Sequence, residues 1–254
     1  MPLKVIFLMA DDGHDPTETA IPWKVFQDAG FDIHFATEDG NTPKCDEKML
    51  SGWTGALLGA NKAAKGAYQD LSSTCKAFKK PLAWKDPAFS LDNYDLVFLP
   101  GGHEKSVRQI MDSTRVHALL ASYFPKTRKP SPKSLVAICH GVQVLAMAST
   151  SDGKSVMHDA ITTALPAYME ESIYHATKLF LGAYYKTYGA GTDSVEEVVK
   201  KRLDDRAQFK NSKSPSPFVV EDPNYNYLSA RFPPDSEALA KRAVSLVREV
   251  AQST

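Results

Sequence analysis

The reading turns on "LVAICHGVQVLA", residues 135–146. Aliphatic residues run up to Cys139, His140 and Gly141, and the chain then becomes amphipathic. A continuous aliphatic run fits a strand buried on both faces, and the period that follows is helical. The cysteine therefore falls on a turn from strand to helix. Two positions to either side of it stand the small residues Ala137 and Gly141, as a nucleophile-bearing elbow requires. The amides of the following helix are expected to face the sulfur and lower its pKa. A cysteine serving only as a small core hydrophobe would not need the flanking glycine.

Similar runs stand at 4–10 ("KVIFLMA"), 31–37 ("FDIHFAT"), 95–100 ("DLVFLP") and 134–139 ("SLVAIC"). Between them lie helical stretches at 17–30, ending in Gly30, and at 106–124, with a break near Asp112–Thr114. Strands alternating with helices predict a parallel sheet covered on both faces. Residues 40–92 interrupt the rhythm and are expected to form an inserted cap. A polar segment with the strand-like runs 218–221 and 226–232 precedes an amphipathic helix at 236–252. No repeat or linker divides the 254 residues, so one domain, 1–254, is expected.

Lys plus Arg and Asp plus Glu balance at 30 each. Without a basic surplus, nucleic acid is an unsuitable partner. Three cysteines, Cys45, Cys75 and Cys139, make no disulfide framework and fit a reducing compartment. The N-terminal "MPLKVIFLMADD" carries Lys4 inside its apolar run and has no small-residue cleavage site, so it reads as the first strand. No apolar run reaches the roughly 18 residues of a membrane helix. A cytoplasmic protein without a membrane partner is expected.

"VFLPGGHE", residues 97–104, is a second candidate element. Its strand runs into Gly101 and Gly102 at the carboxyl edge of the sheet, where open α/β folds bind ligands. Glycine there lets amides approach a developing oxyanion. His103 and Glu104 follow, and Glu18 stands near the start of the first helix.

Taken together, "AICHG", "PGGH" about forty residues earlier and the helical Glu18 resemble the ThiJ/PfpI superfamily. The resemblance implies a class I glutamine amidotransferase-like, flavodoxin-like three-layer α/β sandwich with a mostly parallel sheet. Its length and cap are similar to the glyoxalase-III-like and heat-shock-chaperone branch. That branch implies Cys139 as nucleophile, His140 as its acid/base partner, and Glu18 as the carboxyl group on the sulfur. The amides of Gly102 and His140 would form the oxyanion site, with Gly101, His103 and Glu104 around the substrate. An acidic residue beyond the next strand would orient the histidine. Counted from a strand end at Thr163 in "TTALPAYMEES", it is Glu170, with Glu171 as the alternative. Relatives often carry glycine after "GGH" and proline after "CHG". Here Glu104 is expected to charge the pocket rim and Val142 to change its wall.

The activity implied is glutathione-independent conversion of methylglyoxal, or a related 2-oxoaldehyde, to the hydroxy acid. No cofactor or metal is expected, the partner is a small carbonyl substrate, and the assembly expected is a homodimer. Rivals within the family are a holding chaperone, a cysteine redox sensor, and hydratase or lyase chemistry on another small molecule. A glutamine amidotransferase needs a downstream His-x-Glu, but His158 precedes Asp-Ala and His175 precedes Ala-Thr. Zinc spacings and glycine-rich phosphate motifs are absent from the sequence.

Overall fold

The structure is a computed structural model and describes residues 2–52, 55 and 59–252. The strands are β1 (Lys4–Leu8), β2 (Asp12–His14), β3 (Asp32–Thr37), β4 (Lys44–Cys45), β5 (Leu82–Ala83), β6 (Leu96–Leu99), β7 (Ser134–Ile138), β8 (Val219–Glu221) and β9 (Tyr227–Ala230). Seven of them form one sheet in the order β5-β3-β1-β6-β7-β9-β8, and β2 pairs with β4 apart from it. Every neighbour in the large sheet is parallel except β8 on β9.

Burial on both faces explains why the central strands read as continuous aliphatic runs. In β1, Val5 and Phe7 point to one apolar layer, while Ile6 and Leu8 point to the other. In β7, Leu135 and Ala137 oppose Val136 and Ile138 in the same manner. The first layer is closed by α1 (Pro16–Asp28), through Ala20, Trp23 and Phe26, and by the C-terminal helix Ser236–Gln252. The second is closed by Thr114–Tyr123, through Val116, Leu120 and Tyr123, and by the helix after Cys139. The architecture is the flavodoxin-like α/β sandwich expected from the sequence.

The break expected near Asp112–Thr114 is a cap. Ser113 accepts the amide of Val116, so one helix, α4 (Arg108–Met111), ends and another, α5 (Thr114–Tyr123), begins. Residues 40–92 divide among three tasks. Asp46, Met49 and Gly59 approach the candidate site, α2 (Lys62–Thr74) packs on α1, and Leu82–Ala83 becomes the edge strand β5. The part of the expected cap at 53, 54 and 56–58 lies outside the described residues.

One expectation fails here. Thr163 does not end a strand; Thr162 makes only an isolated bridge to Phe209. The place beside β7 is filled by β9, with Leu135 opposite Tyr227. Ser229 of β9 then receives the Thr163 amide at 2.9 Å.

Candidate active site

The chain leaves β1 for β3 on one side and later for β6 on the other. Ligands gather at the carboxyl ends of strands where the order reverses in this way. The segments that meet there include the start of α1, the loop after β6, the elbow after β7, and α7 (Ala167–Leu181) with the loop after it.

Cys139 stands between β7 and α6 (His140–Met147) with φ 57° and ψ −124°. It is the only non-glycine residue at positive φ among the described residues. This conformation is costly for a side chain and persists where surroundings enforce it. The neighbouring strand does so: a Cβ on Gly141 would lie 2.2 Å from the Leu99 carbonyl oxygen. A Cβ on Gly101 would meet the Cys139 Cβ at 2.8 Å and the His140 amide nitrogen at 3.0 Å. Both glycines are there for close approach. The Gly101 carbonyl accepts the Asp15 amide at 2.9 Å, tying this loop to the N-terminus of α1.

Around the sulfur the partners form an ordered chain. Cys139 Sγ lies 3.4 Å from His140 Nδ1. His140 Nε2 lies 3.1 Å from the Thr187 hydroxyl, and that hydroxyl donates to the His103 carbonyl at 2.9 Å. A carbonyl can only accept, so the single Thr187 proton is committed to it. Thr187 must therefore accept from His140, which fixes the proton on Nε2. The Nδ1 lone pair then faces the thiol. Arg108 holds the Thr187 carbonyl through Nε at 2.6 Å and through a second guanidinium nitrogen.

Glu18 is fully buried, and its Oε2 accepts the Gly101 amide at 3.0 Å. Its carboxyl also interacts with the Cys139 thiol, and burial pushes its pKa well above the ordinary range. Burial likewise pushes the Cys139 thiol up, the charges of Glu18 and Asp15 add to this, and the His140 amide pulls back. The thiolate-favouring helix end expected from the sequence is outweighed by desolvation. Two acids this close in a dry site hold at most one negative charge between them. Burial also holds His140 neutral, its pKa down at about 3.

Glu170 does not orient His140. Its carboxylate accepts the Val195 amide at 2.9 Å and pairs with Lys186 Nζ at 3.2 Å, while Glu171 binds the same ammonium. The count that selected it began from a strand that does not form. Thr187 occupies the orienting position instead, and no local pattern in "KTYGAG" announces it. Glu104 is also displaced from its expected role. It caps the turn at 105–107 through the Ser106 amide and is not among the cavity's lining residues. Val142 is fully buried in the second apolar layer and forms no wall of the cavity. His103 does line the cavity, its ring stacked on Tyr185 at 4.5 Å. Asp15 joins it there, and its position before Pro16 is a helix-start signal legible in the sequence.

The cavity has a volume of about 310 Å³, and Cys139, His140, Glu18 and Gly102 are among the residues that line it. Among the described residues no group of three or more His, Cys, Asp and Glu is placed to hold a metal ion. No helix among them is long and apolar enough to cross a membrane.

The chain is similar to known proteins in sequence and in fold. An uncharacterized protein of Schizosaccharomyces pombe is 30% identical over 251 residues, covering 96% of this chain and 84% of its own. The glutathione-independent glyoxalase hsp3102 of the same organism is 26% identical over 162 residues, 62% of this chain and 61% of its own. Among solved structures, glyoxalase III from Candida albicans shares the fold, with a TM-score of 0.66 at 16% identity over 96% of this chain and 97% of that one. Residues 9–215, which span the elbow, the glycine loop and the first helix, match the family described as ThiJ/PfpI family-like. The chain belongs to that family.

Proposed function

We propose that the protein is a glutathione-independent glyoxalase that converts 2-oxoaldehydes to 2-hydroxy acids on its own thiol. The observation that carries this reading is the His140 ring held with Nδ1 3.4 Å from the Cys139 sulfur and Nε2 3.1 Å from the Thr187 hydroxyl. A relative named a glyoxalase supports it.

The chemistry follows from the placement. Sulfur attacks the aldehyde carbon and its proton passes to Nδ1, so a buried thiol of raised pKa need not ionise beforehand. The new oxyanion lies by the Gly102 and His140 amides and takes the proton back, giving a hemithioacetal. His140 then removes the C1 proton to form an enediol and returns it to C2, leaving a 2-hydroxyacyl thioester. Water hydrolyses the thioester to the 2-hydroxy acid and the free thiol. Overall, one aldehyde and one water give one hydroxy acid. Glu18, held protonated by burial, hydrogen-bonds the sulfur throughout.

The test is lactate formation from methylglyoxal by purified protein in thiol-free buffer. Turnover is expected with wild type and none with Cys139→Ala. Absence of hydroxy acid from any 2-oxoaldehyde would overturn the reading.

A further inference from the structure

The cavity's lining is chemically of two kinds, reactive polar groups and an apolar set. Besides the reactive groups, the lining holds Leu165, Met169 and Ile173, spaced four apart from the lead-in through α7, and also Phe232, Pro233 and Pro234. Helix α7 is oriented against ordinary core logic. It buries Glu170 and Thr177 against the body of the protein, yet leaves Met169 and Ile173 half-buried. A helix that needed only to be anchored would turn its apolar stripe inward. Here the stripe faces the cavity, where an apolar ligand group would cover it.

Charge narrows the class further. Asp15, Glu18 and Glu170 contribute carboxyl groups to the lining. No Lys or Arg stands among the described residues that line it. The two lining histidines are held neutral by burial, His103 down at about 4 and His140 at about 3. Glu170 is already paired with Lys186 and Glu18 is held protonated by burial, so an anionic substrate would meet the Asp15 carboxyl with no Lys or Arg of the lining to offset it. The volume points the same way, since about 310 Å³ exceeds what a three-carbon aldehyde fills and reaches the lower range of pockets for much larger ligands.

We infer that the preferred substrate is a 2-oxoaldehyde whose second carbon carries an uncharged, apolar group larger than methyl, seated against Leu165, Met169 and Ile173. This inference rests on the glyoxalase reading above. Phenylglyoxal, methylglyoxal and 4-carboxyphenylglyoxal are the probes, compared by kcat/KM. A single methylene in an apolar pocket discriminates roughly 10–200-fold. Phenylglyoxal should therefore exceed methylglyoxal by at least about tenfold, with mandelate as product. The 4-carboxy compound, of similar shape but anionic, should fall at least about tenfold below phenylglyoxal.

Intrinsic reactivity is separated from binding by variants whose folding is verified by thermal melting. Ile173→Ala and Met169→Ala should each lower the phenylglyoxal-to-methylglyoxal ratio, and Ile173→Lys should raise the ratio of the carboxylated to the plain aryl substrate. Methylglyoxal preferred over phenylglyoxal, or ratios unmoved in the folded variants, would overturn the inference while leaving the glyoxalase reading intact. Turnover of none of the three overturns both.

Discussion

Thr187 has one hydroxyl proton, and the His103 carbonyl holds it at 2.9 Å. The residue sets the His140 tautomer only because of that prior commitment. In Thr187→Val the Nε2–H loses its acceptor in a buried setting, a loss worth about 1–3 kcal/mol. Turnover should fall roughly ten- to hundredfold on the same basis, and iodoacetamide alkylation of Cys139 should slow with it. Thr187→Ser keeps the hydroxyl and should recover most of both rates. Equal losses in the Val and Ser variants would show that Thr187 packs rather than orients. Cys139 stood out in the sequence because strand and elbow form a local pattern, whereas the roles of His140 and Glu18 came from the family resemblance. Thr187 came from neither. It reaches the imidazole from 47 residues away, on a loop whose path depends on α7 and on the Arg108 clamp.

The junction of β7 with α6 shows the same division among elements. Burial of consecutive residues on both faces made β1, β3, β6 and β7 readable as apolar runs, and Ser113 marked the break between α4 and α5. Helix α7 escaped notice because its buried positions are Glu170 and Thr177 rather than an apolar stripe. The identity of the strand beside β7 escaped because a sheet partner supplied by residues 227–230 is a long-range choice. At the elbow, the backbone of Cys139 sits at φ 57°, a strain of about 1–3 kcal/mol for a residue with a Cβ. Cys139→Ala retains that Cβ, whereas Cys139→Gly releases it and loses about 0.5–1 kcal/mol to chain entropy. The glycine variant should be the more stable of the two by about 1 kcal/mol, read by urea unfolding. An alanine variant of equal or greater stability would remove strain from the account of this turn.

Across the whole molecule, three histidines gather at the carboxyl edge of the sheet: His14 and His140, both buried, and the half-buried His103. Burial holds their pKa values down, at about 3, 4 and 3, against an ordinary value near 6.5. As pH falls through the ordinary value, the unfolded chain takes up protons at these positions and the folded chain does not. Their contribution to stability is therefore present above pH 6.5 and is lost as pH falls toward the folded values. Asp15 opposes them, since burial raises it to about 6. Between its ordinary value and 6 the folded state holds the extra proton, and that stability is lost as pH rises. The overall curve is a composite, but one substitution isolates a single contributor. Neither ring nitrogen of His14 has a hydrogen-bond partner among the described residues, and the ring packs against Tyr68 and Phe78. His14→Phe removes the proton linkage and keeps an aromatic ring in that place. Relative to wild type, it should gain stability progressively as pH falls below 6.5, by up to about 1.4 kcal/mol per pH unit. Urea unfolding at pH 7.5 and at pH 5 measures the difference. A variant whose stability relative to wild type is the same at both values would mean that His14 is protonated in the folded protein or hydrated there, and the dry, neutral setting assigned to it would be wrong.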